Sequence, residues 1–149
     1  MRLSLRLLLA ASIVLASTSA TAGIYTNDLS KCLVSSTNKE DRVALVKWMF
    51  TAASAHPAVS EIASITDQQI EIANQQVGDL FMRLLTESCL TQTKEAVTYE
   101  GMFAIQQGFQ VLGQVAGQEM FASPEVAAGM AILQKYIDND RIEAAVSDK

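Results

Sequence analysis

Residues 66–84, TDQQIEIANQQVGDLFMRL, decide the fold class. Thr66 followed three positions later by Gln69 is a capping-box signature, in which each side chain satisfies a backbone N–H of the other residue's end of the turn. Behind it Ile70, Ala73, Val77, Leu80, Phe81 and Leu84 recur at intervals of three and four, placing one apolar stripe along a helix. Asp79, Arg83 and Glu87 stand four apart on the other side, as a solvated helical face arranges its charges. The spacing predicts a helix from Thr66 to about Cys89.

The same grammar extends in both directions. Upstream, Asn27 or Thr26 can cap a short helix carrying Leu29, Cys32 and Leu33, and Ser35 to Asn38 is a polar break. Thr37 and Glu40 read as a second capping box, opening a helix from about Asn38 to Ala55. Its wheel groups Val43, Val46, Phe50 and Ala53 with Leu45, Trp48, Met49 and Ala52 alongside, an arc broad enough for cover from more than one direction. His56-Pro57 ends it, because proline disfavours helical geometry in the residue before it. Downstream, a helix starting at Thr91 or Thr93 reaches about Phe121, straight through Gly101 or kinked there. Ser123-Pro124 then caps and opens a final helix from Pro124 to about Ile137, with Val126, Met130, Leu133 and Ile137 on one stripe. After the break at Asp138–Asp140, a turn or two follows to Val146. The expectation is all-α: a single compact bundle of five or six helices.

The first 22 residues read as a cleavable export signal. Arg2 and Arg6 precede an apolar run from Leu7 to Ala16, and Ala20-Thr21-Ala22 sets cleavage before Gly23. Ser, Thr and Gly fill the second half of the stretch, so the apolar core is too short to span a bilayer. The expected organisation is a signal peptide at 1–22 and one helical domain at 23–149, exported to the periplasm or the cell exterior. The signal takes two of 11 basic residues and none of 16 acidic ones, leaving nine against 16 and a formal charge of −7. An acidic domain has no attraction for nucleic acid or anionic headgroups. Cys32 and Cys89 both remain after cleavage, and two thiols in an oxidising compartment most simply form one disulfide. Their spacing is not that of a C-x-x-C redox pair.

No stretch specifies a chemistry. G-x-S-x-G, P-loop, dinucleotide and H-E-x-x-H patterns are missing, and neither a metal site nor a cofactor is expected. His56, the lone histidine, is expected to be structural, close to the unpaired carbonyls of a helix C-terminus. Asp138-Asn139-Asp140 begins like a calcium loop but lacks its central glycine and spaced glutamate. An enzymatic site would need assembly from distant residues around His56, Glu61 or Arg83.

The unusual feature is Gly101 to Gln118, which carries no charge. As a helix it has an apolar face of Ile105, Gly108, Leu112, Val115 and Ala116. The other side gathers Gln106, Gln107, Gln110, Gln114 and Gln118 with Gly113, Gly117, Phe103 and Phe121. Two readings follow. Either the amides bond to neighbouring helices around a central helix, or the row is a contact surface, since uncharged amides and aromatic rings desolvate at low cost. In the second reading Gly113 and Gly117 admit another backbone. The functional expectation is a non-catalytic binding protein with a protein partner or a second copy of itself. Periplasmic immunity-type inhibitors and acid-stress chaperones share its architecture, small and helical with one disulfide. A carrier of a small apolar ligand, held under the broad arc of the second helix, is the alternative.

Overall fold

A computed structural model describes residues 23–147; the expected signal at 1–22 lies outside them, as do Asp148 and Lys149. Among the described residues there are helices and no strands. We number the α-helices α1 (Ile24–Ser35), α2 (Lys39–Ala53), α3 (Pro57–Ser60), α4 (Asp67–Arg83), α5 (Leu90–Glu100), α6 (Phe103–Phe121), α7 (Pro124–Ala131) and α8 (Asn139–Ser147). A π-helical turn, Leu84–Ser88, joins α4 to α5, and a 3₁₀ turn, Ile132–Tyr136, follows α7. Among the described residues, eight α-helices replace the expected five or six. The surplus comes from a one-turn helix after Pro57 and a break at Gly101. The segment beyond Asp138 also winds further than a turn.

Local chemistry explains most boundaries. Thr66 and Gln69 form the expected reciprocal box at the start of α4. Ser123 caps α7, accepting the Val126 N–H. The box of α2 is displaced by one residue, pairing Asn38 with Asp41. Thr37 is withdrawn from that role because it is buried, its hydroxyl donating to the Val34 carbonyl at 2.9 Å. Gly101 adopts φ +83°, a conformation open to glycine, and that turn separates α5 from α6.

The core is built from α1, α2, α4, α5 and α6, with Leu29, Leu33, Leu45, Val77, Leu80, Leu84, Ala96 and Leu112 among its buried side chains. α1 is the hub, packed against both α5 and α6. Gly108 lets α6 approach, since a Cβ there would meet Leu33 Cδ1 at 3.0 Å and Leu29 Cγ at 3.4 Å. Beside this centre, Trp48 of α2 meets Phe81 of α4 edge-on at 6.3 Å, and Phe81 stacks on Phe109 of α6 at 3.8 Å. The arc of α2 is covered by both α4 and α6: Leu45 is buried and Trp48 half-buried, whereas Val43 and Phe50 at its margin face solvent.

Cys32 of α1 and Cys89 are joined by the expected disulfide. The π turn makes the junction. In a continuous α-helix, Ser88 would follow Leu84 along the buried stripe. The wide turn, closed by Cys89 N–H to Leu84 O at 2.8 Å, puts Cys89 in that place, and Cys89 is fully buried while Ser88 is exposed.

Candidate contact surface

α6 presents the uncharged row outward. Its buried positions are Ala104, Gly108, Leu112 and Ala116, four apart along one stripe. At 3.6 residues per turn, Phe103, Gln110, Gln114 and Phe121 lie opposite that stripe. Gln106, Gly113 and Gly117 flank them on one side, and Gln107 and Gln118 on the other. Phe103 is 60% exposed and Phe121 58%. Gln106, Gln110, Gln114 and Gln118 are exposed; Gln107, Gly113 and Gly117 are half-buried. Among the described residues none of the five amide side chains makes a hydrogen bond. A Cβ at Gly113 or Gly117 would meet nothing within 4 Å, so both glycines border open space. The close approach that the sequence offered to those two positions is made at Gly108, on the opposite side.

The row stays uncharged because the acids at its ends turn away from it. Glu119 pairs with Arg42 of α2 at 2.7 Å. Glu100 folds back to the start of α1, accepting from the Tyr25 and Thr26 N–H groups, each at 2.9 Å, and from the Thr26 hydroxyl. The Thr26 hydroxyl is the chief reason that the Glu100 carboxyl is held below the ordinary carboxylate value. Partial burial opposes it, and the two N–H groups add to the hydroxyl.

Sequence reasoning missed the corner where this row begins. Tyr99, Met102 and Phe103 are all more than half exposed around the Gly101 turn, and Ile24 of α1 is 70% exposed. Tyr99 stacks on Tyr25 with ring centres 4.5 Å apart, which brings α1 to the same end. The signal was Gly101 itself, since a break there turns Tyr99 and Met102 outward.

The other candidates are dispersed. His56 caps a helix start, its Nδ1 accepting the Ala58 N–H at 3.2 Å, in place of the expected contact with a helix C-terminus. Arg83 reaches Asp41 of α2 at 2.8 Å and leaves its neighbours Asp79 and Glu87. No hydrogen bond or ion pair joins His56, Glu61 and Arg83 among the described residues. No group of three or more His, Cys, Asp or Glu could hold a metal ion among them. None of their helices is long and apolar enough to cross a membrane. The apolar hollow beside α2 is a groove of about 440 Å³ between α2 and α4, lined by Phe50, Ile65, Ile72 and Ala73 and open to solvent. Compared with known proteins, the chain matches no family model, no curated protein and no solved structure.

Proposed function

We propose that this is an exported, non-catalytic binding protein that acts through protein contact, with the outward row of α6 as its contact surface. The observation that carries the reading is a coincidence: the uncharged stretch of the sequence is also the outward side of a long helix. Solvated helical faces normally carry charge. This one presents two phenylalanines and amides that have no partner among the described residues, while the flanking carboxylates are engaged by Arg42 and by the start of α1.

A surface of that kind loses little when a partner removes its water. Amides pair across an interface, rings fill pockets, and the spaces over Gly113 and Gly117 admit a neighbouring backbone. The partner is a second protein or another copy of this chain. Immunity-type inhibition and chaperoning are two forms such contact takes. The open groove between α2 and α4 gives the ligand-carrier reading less support than an enclosed cavity would.

Charging the row tests the proposal. Gln110→Glu with Gln114→Glu would place two carboxylates where the partner excludes water. Binding should weaken at least about tenfold, equivalent to about 1.4 kcal/mol, in a protein whose circular dichroism and melting temperature are unchanged. Undiminished binding by the charged variant would refute it.

A further inference from the structure

α1 has no side-chain cap of its own. Gly23 stands at its N-cap position, and two donors of its first turn, the Tyr25 and Thr26 N–H groups, are satisfied by Glu100, the last residue of α5 and more than 70 positions away in sequence. The carboxylate lies so close to Gly23 that a Cβ on that residue would overlap it. With ordinary bond lengths, this puts the backbone nitrogen of Gly23 within about 5 Å of Glu100 Oε1. Gly23 is also the residue before which Ala20-Thr21-Ala22 sets signal cleavage.

Hydrolysis of the Ala22–Gly23 bond changes that nitrogen. The oxygen of water goes to the Ala22 carbonyl carbon, leaving a carboxylate there. Its two hydrogens go to the Gly23 nitrogen, which becomes an ammonium. Nearby, Asp28 and Lys31 are occupied with each other at 3.1 Å, and the Tyr25 and Tyr99 rings stack alongside. Glu100 is the acid that the new charge meets.

We propose that cleavage before Gly23 creates an ammonium–carboxylate pair with Glu100, a lock on the N-terminal end of α1 that forms only on processing. It rests on the export reading above. The Cys32–Cys89 bridge fastens the other end of the same helix and also awaits an oxidising compartment. Leu29 lies between the two fastenings and Leu33 directly follows the second; both are fully buried, so α1 completes the core. The unprocessed, reduced chain keeps only the Glu100 hydrogen bonds to Tyr25 and Thr26 and holds α1 more loosely, which suits a chain that crosses a membrane unfolded. A Cβ at position 23 would push the Glu100 carboxylate, the far end of a flexible side chain, away from its donors.

The test uses the exported protein purified from its own compartment. N-terminal sequencing should return Gly23. Selective acetylation of the α-amine should then lower the melting temperature by about 2–4 °C in the natural protein and leave Glu100→Gln protein unchanged. No effect in the natural protein, or an equal effect in both, overturns the lock. If Glu100→Gln does not fold, titration of the α-amine by NMR decides instead. A value above the ordinary range of about 7.7–8.0 supports the pair, and one within or below it overturns the pair. A different N-terminal residue overturns the cleavage reading and the lock together, whereas Gly23 with no effect of acetylation overturns the lock alone.

Discussion

Gly108 and Gly113 are five residues apart on α6 and meet opposite surroundings. Gly108 is pressed against Leu29 and Leu33 of α1, and Gly113 borders open space. Gly108→Val forces extra methyl groups into a filled contact and should destabilise the protein by about 1–3 kcal/mol. Gly113→Ala removes the backbone freedom of an unconstrained helical glycine and should stabilise it by about 0.5–1 kcal/mol. Urea unfolding of the two variants measures both signs. The same pair marks how far single residues were legible. The α6 stripe placed Gly108 on the apolar face, but periodicity does not say which glycine a neighbour touches. Glu100 was beyond reach for a related reason. Its role as the cap of α1 is set by where α5 ends in space, and no local pattern in either segment carries that information.

Elements governed by neighbouring residues were the most legible. The capping box at Thr66 and Gln69 and the Ser123-Pro124 start of α7 stand where the sequence put them. The box of α2 slipped by one residue because burial of Thr37 outweighed its capping preference. The π turn was not legible, since the alternation that reads as one helix from Thr66 to Cys89 is compatible with either register until the bridge partner is placed. That turn delivers Cys89 to α1, so the disulfide and the helix irregularity form one device. The bridge closes a loop of 57 residues and should stabilise the fold by about 4 kcal/mol in the chain-entropy model. A Cys32→Ser, Cys89→Ser protein should lose about that much in denaturant unfolding, and reductant should then have no further effect on it. A loss below about 1 kcal/mol would mean that α1 stays docked in the unfolded reference state or is held by Glu100 alone.

At the largest scale, helices α1, α2, α4, α5 and α6 surround the buried core, and α3, α7 and α8 add no buried side chain to it. Residues 124–147 contain no buried side chain; Leu133 is 64% exposed and Tyr136 81%. The stripe of Val126, Met130, Leu133 and Ile137 was visible in the sequence, but an apolar stripe announces only a preference for cover. Whether the same chain supplies the cover depends on the tertiary arrangement, and the described residues do not supply it. The same limit applied to the row on α6, where an uncharged helix side was visible while its outward placement was not. A protein ending at Ser123 should therefore melt within about 2 °C of the longer one, since little core area is lost. A drop of about 5 °C or more would show that the C-terminal helices stabilise the bundle in solution.

The outward row of α6 as a protein-contact surface is most directly tested by capture of the tagged, exported protein from an extract of its own cells after cross-linking. Three versions are compared: the natural sequence, Gln110→Glu with Gln114→Glu, and a control with Gln68→Glu and Gln75→Glu, which adds the same charge to exposed positions of α4. The expected result is one cross-linked partner, or one dimer, common to the natural and control proteins and lost from the variant charged on α6. The same species recovered from all three at equal yield would contradict the contact surface.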